Sequence, residues 1–321
     1  MHLGLVCREL ERFLLLGAVI IFPLSSPASE RIWIDTDVSI GMPLREADDA
    51  FALVLAFHSR RLSIAGLNTS YGNAALSDTD RIARAMTARF AAPTSLTTQK
   101  VYAGASSRHD LGKETAATAA LASALRRECL TYVALGPLTN LATVLQLHPE
   151  LASRLKRVFF LGGISPGQHL QAGRNRLLRI HDANVRKDAG AVERVLESRV
   201  PLTLVPVSVA GRLEINRDDL QILGSSDEAG RYLFEHSKQW FWFWQTIARA
   251  DAGPIFDAFA VFAVTNPESV LKETRFATVE ANGDLIATRA RRSGARPVQF
   301  CLGARQSMKA IVMRRLRTSA P

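Results

Sequence analysis

Short apolar runs alternate with helical patterns along most of the chain from Arg31 onward, and this alternation constrains the fold more than any other feature. The predicted strands are 31–34, 62–69, 100–102, 131–135, 157–161 and 201–207. The predicted helices are 48–58, 78–90, 115–126, 138–147 and 188–201, with further helical patterns to 266 and an antiparallel ribbon over 276–301. Strands that alternate with helices form a mainly parallel central sheet flanked by helices. We therefore predict a single-domain α/β fold over residues 29–321.

The first 28 residues have the pattern of a secretory signal peptide. Arg8 and Arg12 give a positive start, residues 13–24 form an apolar run, and Ser26-Pro27-Ala28 offers small residues for cleavage. The apolar run is too short for a comfortable transmembrane helix. The pattern predicts an exported protein, periplasmic or secreted, without a membrane span after cleavage. An uncleaved anchor and a cytoplasmic chain with a misassigned start remain alternatives.

The chain carries a net charge of +10, which would suit nucleic acid or a membrane surface as a partner. The excess, however, comes from scattered arginines, with doublets such as Arg60-Arg61 and Arg126-Arg127. A nucleic-acid groove needs basic residues interleaved with aromatic ones, and the sequence has no such run. We interpret the charge as a solvated basic surface and expect no nucleic-acid partner.

The cysteines form neither a CxxC pair nor a zinc-like cluster. Cys7 lies in the predicted signal peptide. Cys129 and Cys301 are left in the mature chain, where they are either free thiols or one disulfide.

Polar side chains follow the ends of several predicted strands and form one coherent set. Its members are Asp35, Asp37, Asp48, Asp49, Asn73, Thr139, Asn140, Asp182, Asn184 and Asp257. Ligands of open α/β sheets bind beyond the carboxyl ends of the strands, so we expect these side chains to share one pocket. Several carboxylates in one pocket need a counter-charge, and a hard cation such as Ca²⁺ accepts oxygen ligands of this kind. Zinc fits poorly without a cysteine–histidine cluster.

Several short motifs occur in a fixed order between about residues 31 and 285. They are Asp35-Thr36-Asp37 with Asp48-Asp49-Ala50-Phe51-Ala52-Leu53, then Ser70-Tyr71-Gly72-Asn73, Val133 to Asn140, Leu161-Gly162-Gly163, Asp182-Ala183-Asn184 with Asp188, and Asp257-Ala258-Phe259-Ala260-Val261. In this order they resemble the DTDxGxDDAxAL, VxGN, ALGPLTN, MGG, E-x-N-x-x-x-D and DPLAV segments of inosine–uridine-preferring nucleoside hydrolases. The resemblance implies a nucleoside-hydrolase-like fold. It also implies Ca²⁺-dependent hydrolysis of the N-glycosidic bond of ribonucleosides, giving ribose and free base.

The resemblance also implies roles for individual residues. The implied Ca²⁺ ligands are the carboxylates of Asp37, Asp49 and Asp257 and the backbone carbonyl of Thr139. Asp37 would in addition be the general base that takes a proton from water. The implied ribose-binding residues are Asp48, Asn73, Asp182 and Asn184. Relatives' habits further suggest a homodimer or homotetramer.

The chain departs from the family pattern at two places. Residues 41–47 separate the two halves of the aspartate signature, and this insertion adds the carboxylate of Glu46. Phe256 stands where many family members carry the histidine proposed to protonate the leaving base, and phenylalanine cannot donate a proton. Leaving-group activation would then come from His109, His181 or His236, or from stacking on the aromatic run 240–244. We expect one or two rings of that run to face the pocket, and we interpret His181 as more structural than catalytic.

Other protein classes match parts of the sequence. Gly163-Ile164-Ser165-Pro166-Gly167 has the G-x-S-x-G form of a serine-hydrolase elbow, but Pro166 lacks the N–H that the oxyanion hole requires. A phosphatase of the haloacid-dehalogenase type would need a suitably placed lysine, and none is evident. A non-catalytic ribose- or nucleoside-binding protein that keeps the metal site remains an alternative, as does a hydrolase of an unusual N-ribosyl substrate.

Overall fold

The computed structural model describes residues 29–92, 96–168, 170–172, 178–305 and 308–318. The predicted signal peptide, residues 1–28, lies outside the described residues. The strands are β1 (Glu30–Thr36), β2 (Leu62–Thr69), β3 (Val101–Ala103), β4 (Leu130–Ala134), β5 (Leu155–Leu161), β6 (Leu170–Ala172), β7 (Leu178–Ile180), β8 (Leu202–Val205), β9 (Glu214–Asn216), β10 (Ala252–Pro254), β11 (Val270–Val279), β12 (Leu285–Thr288) and β13 (Arg296–Ala304).

Helices cover both faces of the sheet. They are α1 (Asp48–Phe57), α2 (Leu76–Phe90), α3 (Ala116–Arg127), α4 (Thr139–Leu147), α5 (Ala183–Lys187), α6 (Ala189–Glu197), α7 (Val207–Ala210), α8 (Arg217–Gly224), α9 (Glu228–His236), α10 (Lys238–Trp242), α11 (Phe256–Thr265) and α12 (Met308–Leu316). Short 3₁₀ turns occur at Thr98–Lys100, Arg108–Asp110, Pro149–Arg154 and Pro267–Ser269, and a π turn spans Phe243–Ile247. None of the helices within the described ranges is both long and apolar enough to cross a membrane.

The nine-stranded central sheet has the order β12-β11-β13-β8-β5-β4-β1-β2-β3. Its strands from β8 to β3 pair in parallel, and β13 joins β8 in parallel as well. Strand β11 is antiparallel to both β12 and β13. The prediction of a mainly parallel sheet flanked by helices is therefore confirmed. The predicted C-terminal ribbon is present too, but it extends the main sheet instead of standing apart.

Alternation along β1 explains why the core has two halves. Ile32 and Ile34 face one side of the sheet and pack with α1 and α11, while Trp33 faces the other side with α3 and α4. Every residue of α1 and α11 is buried. Two fully buried helices that pack together against the sheet hold their first turns in fixed positions at its carboxyl edge, where α1 begins with Asp48.

The chain between β5 and β8 differs from the prediction of a polar loop followed by one helix over 188–201. It contains the antiparallel pair β6–β7 and then two helices, α5 and α6, that meet at Asp188. The Asp188 carboxylate accepts a hydrogen bond from the backbone N–H of Ala191, which makes it the N-cap of α6. The predicted start of the helix at about residue 188 is therefore confirmed, while β6, β7 and α5 occupy the stretch that was predicted to be a loop.

The two cysteines of the described chain are both free, with Cys301 buried and Cys129 partly exposed. Burial raises the pKa of the Cys301 thiol to about 12, which keeps it protonated and unreactive. Of the two possibilities that the sequence left open, the structure therefore has the free thiols.

Candidate active site

Three carboxylates from separate parts of the sequence meet at the carboxyl edge of the sheet. Asp48 and Asp49 open α1, and Asp257 is the second residue of α11. One carboxylate oxygen of each lies within 4.8 Å of the others, and all three side chains are buried. The packing of α1 against α11 therefore brings together acidic residues that are about 200 positions apart in the chain.

Burial and mutual repulsion both act on these carboxylates. Burial, with repulsion from neighbouring carboxylates, raises the pKa of Asp48 and of Asp257 well above the ordinary range. Burial and the charge of Asp37 raise the pKa of Asp49 to about 7. Oδ1 of Asp48 and Oδ1 of Asp257 are buried without a hydrogen-bond partner among the described residues. Buried acceptors of this kind are costly unless a positive charge compensates them, so the donor set fits a divalent cation with oxygen ligands.

Asp37 lies directly after β1 and is held by hydrogen bonds. Its Oδ2 accepts from the backbone N–H of Asn73 at 2.7 Å and from Lys187 Nζ at 3.2 Å. Gly72 allows this approach, because a Cβ at that position would lie 1.8 Å from Asp37 Oδ2. The side chain of Asn73 also donates to Asp49 Oδ2 at 3.1 Å. It therefore links Asp37 to the group formed by Asp48, Asp49 and Asp257, which we call the acidic cluster.

Lys187 is a site residue that the sequence analysis missed. It ends α5, and its ammonium group lies 3.2 Å from Asp37 Oδ2 and 3.3 Å from Asn73 Oδ1. In the sequence it is one of many basic residues in a polar stretch. Its position between Asn184 and Asp188, inside one of the recognised motifs, was the one available signal.

The acidic cluster opens into a cavity of about 100 Å³, which we call the strand-end cavity. Its lining residues are Glu46, Asp48, Asn73, Leu135, Leu161, Ile180, His181, Asp182, Ala183, Asn184, Val207, Phe256 and Asp257. The four predicted ribose-binding residues are all in this set. One part of the wall is therefore acidic and amide-bearing, and the other part is apolar.

Asp182 and Asn184 are held by the backbone around them. Asp182 accepts hydrogen bonds from the N–H groups of Gly163 at 2.6 Å and Val185 at 3.1 Å, while burial raises its pKa to about 6. Asn184 Nδ2 donates to the carbonyl oxygens of Leu135 at 2.6 Å and Leu161 at 3.1 Å. These bonds join the first turn of α5 to the ends of β4 and β5 and fix both side chains at the cavity wall.

Asp35, Thr139 and Asn140 lie at the same edge but bond to the scaffold. Asp35 accepts from Tyr132 Oη at 2.5 Å and from Asn140 Nδ2 at 3.1 Å, and burial raises its pKa to about 7. The Thr139 hydroxyl donates to Asp188 Oδ2 at 2.6 Å. Asp35 and Asn140 therefore hydrogen-bond to the strands beside the site and do not line the cavity. Tyr132, the other partner of Asp35, was not expected from the sequence.

The comparison with known proteins decides the family. A sequence profile of the inosine-uridine preferring nucleoside hydrolases matches residues 32–309, which is most of the chain. The chain belongs to this family. The resemblance that the motifs predicted is thereby confirmed.

The relatives of this nucleoside hydrolase reported next have low sequence identity to it. Uridine nucleosidase 1 of Arabidopsis thaliana is 25% identical over 281 residues, covering 79% of each chain. The non-specific ribonucleoside hydrolase RihC of Salmonella paratyphi A is 27% identical over 160 residues, so the match spans about half of each chain. Among solved structures, the plant nucleoside hydrolase PpNRh1 has a TM-score of 0.75 at 22% identity and covers 91% of this chain and 99% of its own. A purine-preferring ribonucleoside hydrolase from Gardnerella vaginalis has a TM-score of 0.74 at 19% identity, with coverage of 90% and 98%. These structures confirm the predicted fold.

The aromatic run 240–244 of this nucleoside hydrolase family member does not line the cavity, so the expectation for its rings was wrong. Trp240 and Trp244 are buried in the core, whereas Trp242 is 50% exposed on the outer surface. Helical and π turns place Trp240 and Trp244 on the inner side and Trp242 on the outer side. Phe256 is the aromatic ring in the cavity lining.

The histidines considered as proton donors occupy different environments. His181 lines the strand-end cavity. His109 is exposed in a 3₁₀ turn, and His236 is exposed and stacks on Tyr232 with ring centroids 4.0 Å apart. Of the three, His181 is therefore the one at the site.

The insertion leaves the aspartate signature of the family intact. Most of the insertion is exposed, with Leu44 63% exposed, while Met42 packs against the core and the chain then returns to begin α1 at Asp48. The Ser39 hydroxyl donates to the backbone carbonyl of Glu46 at 2.9 Å and closes the base of the loop. The two halves of the signature therefore meet in space despite their separation in sequence.

Proposed function

We propose that this protein hydrolyses the N-glycosidic bond of ribonucleosides to ribose and free base, with Ca²⁺ as its cofactor. The observation that carries the proposal is the strand-end cavity. There, buried and uncompensated carboxylates on α1 and α11 adjoin hydrogen-bonding side chains suited to sugar hydroxyls. Membership of the nucleoside hydrolase family supports the reaction class. The oxygen-only donor set supports a hard cation.

The proposed cation ligands are the carboxylates of Asp37, Asp49 and Asp257 and the backbone carbonyl of Thr139. A divalent cation bound there would lower the pKa of a water molecule. Asp37 is the proposed general base, because Asn73 and Lys187 hold its carboxylate at the edge of the cluster. It accepts one proton from the attacking water.

The sugar binds through its hydroxyl groups to Asp48, Asn73, Asp182 and Asn184. As the C1′–N bond breaks, its electron pair leaves with the base and positive charge develops on the ribose ring. The surrounding carboxylates stabilise that charge. The water oxygen bonds to C1′, and the departing base takes up a proton. His181 is the proposed donor of that proton, in place of the structural role expected from the sequence, since it lines the cavity and Phe256 has no proton to give.

A second candidate is a nucleoside-binding protein without turnover. Phe256 favours it, because a family member that lacks a proton donor at this position loses one source of leaving-group activation. Such a protein would bind the cation and the nucleoside through the same residues.

The test is ribose release from a panel of purine, pyrimidine and modified ribonucleosides by protein lacking residues 1–28. We expect release that stops on addition of a calcium chelator and returns when Ca²⁺ is restored. Release that persists under chelation would contradict the cofactor. Nucleoside binding without release would support the binding protein instead, and release from a modified nucleoside alone would point to an unusual N-ribosyl substrate.

We also propose that the protein is exported, on the pattern of residues 1–28, and that it supplies free bases and ribose from external nucleosides for salvage. Cell fractionation should find a shortened chain outside the cytoplasm, and an intact chain in the cytosol would contradict export. The resemblance further supports a homodimer or homotetramer, which light scattering of the purified protein tests.

A further inference from the structure

The inserted loop, residues 41–47, contributes one polar side chain to the strand-end cavity. Among its residues, Gly41, Pro43, Leu44 and Arg45 are exposed on the outside, whereas Glu46 lies in the cavity lining. Asp48 and Phe256 line the same cavity. The insertion therefore adds a carboxyl group to the place where the proposed substrate binds.

The Glu46 carboxyl group is held by a buried tryptophan. Trp240 is 3% exposed, and its Nε1–H donates to Glu46 Oε2 at 2.9 Å. The Trp240 ring packs against Phe51 of α1, with ring centroids 6.0 Å apart. A buried indole N–H needs an acceptor, so this bond fixes the direction of the Glu46 side chain.

Only one of the two Glu46 oxygens is engaged. Oε1 makes no hydrogen bond to any of the residues that the structure describes. The bond from Ser39 to the Glu46 carbonyl holds the backbone, and the bond from Trp240 holds Oε2. The backbone and Oε2 of Glu46 are therefore both held in place, while Oε1 is left to accept a hydrogen bond. Such a group is preorganised to bind a donor group of a ligand in the cavity.

We infer that Glu46 is a specificity-determining residue that accepts a hydrogen bond from the substrate, and that Trp240 is its positioning residue. The inference rests on the proposed function, because the nucleoside is the ligand. The donor is either a sugar hydroxyl or an N–H of the base, since both present the same chemistry to a carboxylate oxygen. Phe256 supplies an apolar ring in the same cavity and Glu46 supplies the polar contact.

The experiment compares wild-type protein with Glu46→Gln, Trp240→Phe and Arg45→Gln. Arg45 lies in the same loop but is exposed outside the cavity, so Arg45→Gln is the matched control. The substrates are uridine and inosine, their 2′-, 3′- and 5′-deoxy analogues, and 3-methyluridine and 1-methylinosine, which lack one base N–H. For each combination of protein and substrate we measure kcat and KM for hydrolysis, and a dissociation constant by calorimetry. Thermal unfolding checks that each variant folds.

Glu46→Gln should lower kcat/KM for the parent nucleosides by about 10- to 100-fold, as expected for a lost hydrogen bond to a charged group. Trp240→Phe should lower it by a smaller factor, and Arg45→Gln should leave it unchanged. For the analogue that lacks the recognised donor, wild type and Glu46→Gln should be equal. Equality on a deoxy analogue identifies a sugar hydroxyl, and equality on a methylated analogue identifies a base N–H.

The inference is overturned if Glu46→Gln hydrolyses the parent nucleosides like wild type, or if its defect is the same for every substrate and analogue. The calorimetric arm separates this failure from that of the proposed reaction. Wild-type protein that binds the nucleosides without releasing sugar contradicts hydrolysis, while the binding constants of Glu46→Gln still test the contact. Wild-type protein that neither binds nor hydrolyses them contradicts both.

Discussion

The two ends of the central sheet carry depressions of very different character. The strand-end cavity measures about 100 Å³, whereas a groove at the amino ends of β1, β4 and β5 measures about 620 Å³. We call the latter the amino-end groove, and its lining residues are Glu30, Arg61, Thr131, Lys156, Arg157, Phe159, Val264, Thr265, Pro267, Glu268 and Lys272. The larger depression holds both signs of charge. The smaller one gathers buried carboxylates.

Charges in the amino-end groove pair with one another in contact with water. Arg61 lies 3.4 Å from Glu268 and Lys156 lies 3.5 Å from Glu30, and all four side chains are at least a third exposed. Exposed pairs of this kind contribute little to stability or binding. In the strand-end cavity, by contrast, the carboxylates of Asp48 and Asp257 each keep one buried oxygen without a partner among the described residues. Uncompensated burial, rather than volume, therefore distinguishes the end of the molecule that holds the proposed active site.

The largest difference between the two ends should appear in turnover. Asp37→Ala removes the proposed general base and should lower kcat/KM for nucleoside hydrolysis by at least about 1,000-fold. Glu268→Ala in the amino-end groove removes an exposed carboxylate and should leave kcat/KM within about twofold of wild type. Full activity in Asp37→Ala, or an equal loss in both variants, would overturn the assignment of the active site to the strand-end cavity.

The second largest difference between the two ends should appear in the affinity for Ca²⁺. Asp257→Asn removes a proposed ligand, so the dissociation constant for Ca²⁺ should rise by about 100-fold or more. The same change should raise the unfolding temperature of the metal-free protein, because it removes one buried carboxylate from a mutually repelling group. Glu268→Gln should change neither quantity. Calorimetric titration and thermal unfolding in chelator measure the two effects, and unchanged Ca²⁺ affinity in Asp257→Asn would exclude this residue as a ligand.

The pH dependence of stability should have opposite signs at the two ends. Burial raises the pKa of Asp182 to about 6, so its stabilising contribution is complete below its unfolded pKa and is lost as the pH rises through about 6. Relative to Asp182→Asn, the wild-type free energy of unfolding should fall by on the order of 3 kcal/mol between pH 4 and 7. A backbone hydrogen bond lowers the pKa of Glu268, so its smaller contribution is lost as the pH falls.

Denaturant titrations at several pH values, with chelator present, measure this difference. Parallel stability curves for wild type and Asp182→Asn between pH 4 and 7 would show that the carboxyl group is not held at a raised pKa.

The smallest expected effect concerns Lys187, the basic group paired with Asp37. Its ammonium group competes with a divalent cation for the same carboxylate, so Lys187→Met should bind Ca²⁺ about tenfold more tightly. Arg186→Met is the control, because the Arg186 guanidinium pairs with Asp284 at 3.3 Å instead. Equal Ca²⁺ affinity in Lys187→Met and wild type would show that the ion pair does not oppose cation binding.

Much of this fold could be predicted from the sequence because its strands are short apolar runs bounded by polar residues. The ends of β1, β2 and β4 were located closely enough to place Asp37, Asn73 and Thr139 at one edge. The helix that begins after Asp188 was predicted, but the β6–β7 pair and α5 before it were not, because α5 begins where Asp182 bonds both to Val185 and to the distant backbone N–H of Gly163. Local pattern does not show which partner a side chain will find.

In the candidate site, too, some residues could be predicted from local sequence and others could not. Motif order located the carboxylates, since each belongs to a recognisable segment. Lys187 and the Trp240–Glu46 pair were missed, because each depends on a contact between distant parts of the chain, 150 residues apart for Lys187 and Asp37 and 194 for Trp240 and Glu46. The expectation that rings of the run 240–244 face the pocket was wrong, because Trp240 and Trp244 lie four residues apart on the side of the helix that packs into the core. The helical pattern shows which rings share a side, but not which part of the molecule that side meets.

A crystal structure of the protein soaked with Ca²⁺ and ribose would show directly whether the strand-end cavity holds the cation and the sugar. We predict one Ca²⁺ bound by carboxylate oxygens of Asp49 and Asp257, with ribose hydroxyl groups against the side chains of the strand-end cavity. A cation or sugar found in the amino-end groove, with the strand-end carboxylates left uncoordinated, would contradict it.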